Sequence, residues 1–347
     1  MPLKHRWRLL VFAAGGVVFA FLLWRVGLGR LVQDFRKAGW TLLPILLLWI
    51  PVHGCYAGAW HVTMADAPTR PPFWRTFLIS VSSFAVNLVT PLAQVGGEVY
   101  RTTSVAPWLG GPRATSSIVT YYMIHALSNM LTWLLGIVGM IILVRLPAPV
   151  LVPLLMTGAV IAALIIFIFM RHQQGVVAPL LKLVRGIPLL GRLAAPLEKQ
   201  RLRIEELDGL ITGFYQRDPR RFFLAAGLDT VGRILSTGEF WIMGRAIGLD
   251  IGPLQAFVIG AFGLLAVNIV FFVPLEAGVK EGSFFLIFQM LGLDPSLGVF
   301  AAIVQRLREF VWIGIGLLFI GATGTGVLRE RRTTSRPVIP GEADHGD

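Results

Sequence analysis

The sequence is short of charge and nearly devoid of cysteine. Only 14% of its 347 residues are Asp, Glu, Lys or Arg, against about 25% in average soluble proteins. A soluble chain of this length would need far more charged surface to cover its core, so a soluble globular protein is excluded. Disorder is excluded as well, because 55% of the residues are apolar and a disordered chain cannot be so hydrophobic. The single cysteine, Cys55, rules out an internal disulfide framework and argues against any Cys-based metal site. No long alternating pattern of the kind a membrane β-barrel requires is present either. With a mean hydropathy of +0.71, the remaining class is an all-α polytopic membrane protein, in which helices satisfy their own backbone inside lipid.

A hydrocarbon layer of about 30 Å takes about 20 apolar residues per helix. Runs of that kind occupy 9–26, 40–64, 116–144, 150–170, 222–247 and 299–327. Weaker or broken stretches lie at 73–89, ending near Pro91, and at 254–293, interrupted by Pro274. The first run has no small-residue cleavage site after it and is read as an uncleaved span. Residues 171–221 form the one large polar loop, with ten Lys/Arg against five Asp/Glu. The positive-inside rule places this loop in the cytoplasm, together with the N-terminal Lys4, Arg6 and Arg8 and the C-terminal Arg329, Arg331, Arg332 and Arg336. The formal charge of +12 then reports topology and attraction to anionic lipid, not nucleic acid. Within the loop, 178–210 has an amphipathic pattern suited to the membrane surface. The expected organisation is one transmembrane domain over 1–327 and a disordered cytoplasmic tail over 328–347.

The most informative feature is an internal echo. Asn87-Leu-Val-Thr-Pro91-Leu-Ala-Gln94-Val-Gly96-Gly97-Glu98 lies a third of the way along the chain, and Asn268-Ile-Val-Phe-Phe-Val-Pro274-Leu-Glu276-Ala-Gly278-Val-Lys280-Glu281-Gly282 lies near its end. Both run from Asn through a short apolar piece to Pro-Leu and Gly, with Glu seven residues after the proline. Proline stops a helix and glycine permits a sharp turn. Broken backbone at membrane depth is tolerated only inside protein or beside water, and paired breaks in two halves point to a transporter's binding site. Two architectures satisfy the charge count: six full spans plus two re-entrant hairpins of inverted orientation, or eight full spans. Arg25, Arg30, Arg36 and Lys37, offset by Asp34, fit badly, because they fall outside in either case.

At the same residues the sequence resembles the lysylphosphatidylglycerol synthase transmembrane, or flippase-like, family. The resemblance rests on Pro91–Glu98, Pro274–Gly282 and a late-span Arg306, and it covers roughly residues 5 to 327. The Ala-Gln-Val-Gly-Gly-Glu string also resembles the hopanoid-biosynthesis-associated branch of that family. Leu275-Glu276 departs from the Pro-Gly of many relatives. Membership implies a bacterial inner-membrane protein connected with lipid translocation, with lipid-biosynthesis enzymes as partners. No segment of the size of the family's aminoacyl-transferase domain follows Val327, which argues against enzymatic lysyl transfer by this chain.

Ionisable residues inside spans are costly and mark candidate function. Glu98 and Arg101, three apart, share a helical face and are expected to neutralise each other or divide a headgroup between them. Lys280 and Glu281 repeat the two charges beside the second break. Asp229 and Arg233, four apart, read as a structural ion pair, whereas Glu239 lacks an equally close partner. His125 and Asn129 read as a helix–helix contact. The candidate cavity therefore comprises Asn87, Pro91, Gln94, Gly96, Gly97, Glu98, Arg101, Asn268, Pro274, Gly278, Lys280, Glu281 and Arg306. No metal site, cofactor motif or catalytic constellation is found: His53 and His61 have no acidic ligand at suitable spacing. The expected function is movement of an amphiphile with a charged headgroup between leaflets. The rivals are a scaffold for lipid-synthesis enzymes and an intramembrane transferase.

Overall fold

The computed structural model describes residues 21, 24, 27–89, 96–171, 218–270, 276 and 278–334. Pro91, Gln94, Pro274, the amphipathic stretch at 178–210 and most of the first apolar run lie outside them. Every regular element among the described residues is helical. In chain order these are α1 (Leu28–Ala38), a 3-10 turn (Gly39–Thr41), α2 (Leu42–Thr63), α3 (Phe73–Val89), α4 (Gly96–Leu109) and α5 (Gly111–Leu143), followed by α6 (Ala148–Arg171), α7 (Pro219–Ala246), α8 (Pro253–Ile269), α9 (Val279–Met290) and α10 (Pro295–Thr334). Local chemistry sets the boundaries. Asp218 accepts from Arg221 N at 3.2 Å to cap α7, and Pro219 opens its first turn. Gly110, at φ 74°, breaks α4 from α5.

Residues 31–63, Gly111–Leu143 and Ala148–Ile168 are long and apolar enough to cross a membrane, while α3 and α8 are apolar but only 17 residues long. A polytopic helical membrane protein, as the composition requires, is what the chain forms. α7 has the length to cross but carries Asp229, Arg233 and Glu239, all buried inside the bundle. The outer surface is greasy instead: Val152, Met156, Val160 and Ile166 of α6 are each more than half exposed.

A fixed offset relates the two halves, the one that carries Glu98 onto Glu281. It carries Thr63 onto Ala246, the last residues of α2 and α7, and Gly96 onto Val279, the first residues of α4 and α9. The order long helix, two short helices, long helix thus occurs twice, as α2–α5 and α7–α10. α2 and α7 meet face to face and run antiparallel: Gly58 lies against Leu228, Gly232 against Tyr56, and Trp49 reaches Glu239. The same offset exchanges the last two of these contacts, so the relation is an inverted pseudo-two-fold. Between halves the long helices grip the opposite hairpins through small residues. A Cβ at Gly316 of α10 would sit 2.7 Å from Val81 O of α3, and one at Gly136 of α5 would sit 2.6 Å from Ala261 Cβ of α8.

The antiparallel register also fixes the two faces. Asp66, just past α2, pairs with Arg221 at the start of α7, so the mouth of the α3–α4 hairpin lies on the face where the 172–217 segment joins. Thr69 donates to Trp108 O at 2.6 Å, closing that mouth. The α8–α9 mouth lies on the other face, where Ile251, Phe288 and Leu297 share an apolar cluster with Leu31 and Ala38 of α1. At about 1.5 Å per residue, α4 (14 residues) spans about 21 Å and α9 (12 residues) about 18 Å. Both fall short of the about 30 Å hydrocarbon layer. The lengths favour two re-entrant hairpins over eight full spans.

Candidate functional site

The first hairpin is held by close backbone approach. Ser83 donates to Gly97 O at 3.0 Å, and Gly97 N donates to Asn87 Oδ1 at 2.6 Å. A Cβ at position 97 would lie 2.5 Å from Ser83 O, which is why glycine stands there. Asn87 Nδ2 also donates to Glu98 Oε1 at 3.4 Å, and the Tyr122 hydroxyl of α5 donates to the same oxygen.

Glu98 and Arg101 do not neutralise each other. Although one turn apart, they turn to different partners, and no ion pair joins them. The Arg101 guanidinium lies 5.0 Å from the ring centres of Trp60 and Tyr121 and 5.8 Å from that of Tyr122, an aromatic enclosure that suits a desolvated cation. Its one hydrogen bond runs from Nη2 to Ser80 Oγ at 3.2 Å. Arg101 is only 7% exposed, yet its Nε and Nη1 have no partner among the described residues, and neither has Glu98 Oε2.

The second hairpin is built from the opposite chemistry. Gly278, in the left-handed region at φ 75°, donates its N–H to Glu281 Oε2 at 2.9 Å, and Arg306 Nε of α10 meets Glu281 Oε1 at 2.5 Å. Glu281 is fully buried. Lys280 Nζ bridges Glu276 at 2.9 Å and Glu309 at 2.8 Å. Arg308 continues the network to Glu309 at 3.2 Å and to Glu239 at 3.0 Å. Glu239, expected to lack a close partner, thus has one on α10, and Trp49 and Gln305 also donate to it. Glu276 is a non-glycine residue at φ 53°, a conformation such residues rarely adopt. Asn268 stands apart from all this, since its side chain donates to Leu264 O of its own helix at 2.8 Å.

Asp229 and Arg233 form the expected ion pair, Nε to Oδ2 at 3.2 Å. His125 completes a triad, with Nδ1 at 2.8 Å from Asp229 Oδ1 and Nε2 at 2.7 Å from Arg233 Nη2. The neutral tautomer with its proton on Nδ1 satisfies both contacts. Asn129 takes no part, and its Oδ1 has no partner among the described residues. Between the halves stands His53 of α2, buried, its ring 4.6 Å from that of Trp312 on α10 and 5.4 Å from that of Phe84 on α3.

Sequence reasoning missed Tyr122, Trp60, Tyr121 and the pairing partners of Arg308. Arg308 falls within the last apolar run, but its partner Glu239 lies on another helix. Trp60 is one of ten tryptophans, and Tyr121 and Tyr122 are two of five tyrosines; their spacing from Arg101 gave no local pattern that joins them to it.

Among family models, the one described as the lysylphosphatidylglycerol synthase TM region matches residues 7–316. No curated protein and no solved structure matches the chain.

Proposed function

Because the chain belongs to the lysylphosphatidylglycerol synthase TM-region family, and is therefore a membrane protein of a lipid-related family, we propose that it moves an amphiphile with a charged headgroup between leaflets. In this reading it sits in a bacterial inner membrane with its termini and basic loop cytoplasmic, and it works without a nucleotide. The observation that carries the proposal is the pair of inverted hairpins, opening on opposite faces, each with a glutamate held from the long helix that follows. Such a pair can expose a midplane site to one face and then to the other. Of the cationic groups expected to receive the headgroup, Lys280 and Arg306 are engaged in ion pairs. Arg101 retains unpartnered donors, so the first hairpin is the receiving element and the second the element that locks.

Proteoliposomes test this directly. Headgroup-labelled lipid should equilibrate between leaflets with the wild-type protein and more slowly with Glu98→Gln or Glu281→Gln. Wild-type vesicles indistinguishable from protein-free ones would remove the proposal. A scaffold for lipid-synthesis enzymes predicts that both glutamates are dispensable and that the basic segment 171–221 is essential. An intramembrane transferase predicts product formation that depends on the glutamates. The hairpin geometry favours neither rival.

A further inference from the structure

The unpaired state of Glu98 and Arg101 holds more than a place for a charge. Two opposite charges stand one turn apart on α4, each mostly withdrawn from solvent, and they decline each other. Arg101 presents Nε and Nη1 without acceptors, and Glu98 presents Oε2 without a donor. Leaving such groups unmet costs more than the hydrogen bonds themselves gain. Their neighbours hold them apart: Ser80 and the rings of Trp60 and Tyr121 fix the guanidinium, while Asn87 and Tyr122 fix the carboxylate by its other oxygen. An unmet cationic donor and an unmet anionic acceptor, one turn apart on the same helix, match a group that brings an anion and an ammonium together.

We propose that Glu98 and Arg101 form a recognition site for a zwitterionic headgroup, an anionic phosphate accepting from an unpartnered donor of the Arg101 guanidinium and a primary ammonium donating to Glu98 Oε2. The ammonium is primary because Oε2 needs a hydrogen-bond donor, which a quaternary ammonium lacks. Aromatic faces that would serve a quaternary group are taken by Arg101 itself. The second hairpin offers no such pair, for the residue equivalent to Arg101 is Phe284 and Glu281 is met by Arg306. This inference rests on the first hairpin being the receiving element.

The test measures binding, not transport, so the two readings fail separately. Detergent-solubilised protein is titrated with dioctanoyl phosphatidylethanolamine, phosphatidylcholine and phosphatidylglycerol, following tryptophan fluorescence and thermal stabilisation. The ethanolamine lipid should bind about tenfold tighter than the other two, the worth of one charge-assisted hydrogen bond. Glu98→Gln should erase that preference while keeping binding to phosphatidylglycerol, and Arg101→Lys should weaken all three. Free phosphoethanolamine is a fourth arm: competition at equal strength assigns the site to the headgroup alone, and weaker competition assigns it to the lipid. Wild-type protein that binds phosphatidylglycerol or phosphatidylcholine as tightly as phosphatidylethanolamine overturns the proposal, with no variant needed. Selective binding without leaflet exchange would sink transport and leave this site standing.

Discussion

Arg306 closes on Glu281 at 2.5 Å across α9 and α10, with Glu281 fully buried and Arg306 largely so. Breaking such a pair from one side strands a charge, at a cost of about 3–5 kcal/mol. Glu281→Gln and Arg306→Gln should each lower the melting temperature in detergent substantially. The double variant should be more stable than the sum of the two losses predicts, and simple additivity would show that the pair is not coupled.

The Asp229–Arg233–His125 triad and the Asp66–Arg221 pair make a contrast of burial. Asp229 is fully buried, whereas the Asp66 and Arg221 side chains are 45% and 37% exposed. Asp229→Asn should therefore cost about 3 kcal/mol or more, and Asp66→Asn less than about 1 kcal/mol. Equal losses in thermal unfolding would contradict the burial assigned to α7.

Glycine substitutions test the contact between halves. At Gly316 an added Cβ meets Val81 O and Ala85 Cβ at 2.7 and 2.6 Å, while at Gly282 it meets nothing within 4 Å. Gly316→Ala is expected to cost about 1–3 kcal/mol through overpacking. Gly282→Ala should leave stability unchanged or slightly raised, because alanine is the better helix former. Melting curves of the two variants in the same detergent decide the matter.

Topology is open to cysteine labelling in a Cys55→Ala background. Arg70 and Asp250 are exposed in the mouths of the two hairpins. Arg70→Cys should react with an impermeant maleimide only from the cytoplasmic side of oriented membranes, and Asp250→Cys only from the other. Labelling of both from one side would abolish the inverted arrangement.

Much of this architecture was legible in the residues. The paired Pro-Leu…Gly…Glu strings located both hairpins, because breaking a helix in lipid requires conspicuous residue types. The i, i+4 spacing gave Asp229 and Arg233. The partners that decide the chemistry were not legible. Tyr122 was not singled out, and Arg306, named for the cavity through the family resemblance, was not assigned to Glu281; both lie some two dozen residues beyond the glutamates they hold, on helices whose rotation no local pattern sets. Helical spacing alone put Glu98 and Arg101 together, yet spacing says nothing of Ser80, Trp60 or Asn87, which draw them apart. Arg36 and Lys37, which fitted the charge rule badly because they fall outside, lie on the exposed side of α1, which buries Leu31, Asp34 and Ala38. α1 packs at the mouth of the second hairpin, so that departure from the charge rule stands.

The lone helix α6 acquires a purpose from the pseudo-two-fold. Each repeated unit contains two full crossings and a hairpin that returns to its own face, an even sum, so a second copy joined directly to the first would emerge in the same orientation. One additional passage reverses it. α6, packed mainly on α5 and facing outward, supplies that passage and has no described counterpart after α10. It acts as a parity element: what the arrangement asks of it is a single apolar passage, which its length and composition supply.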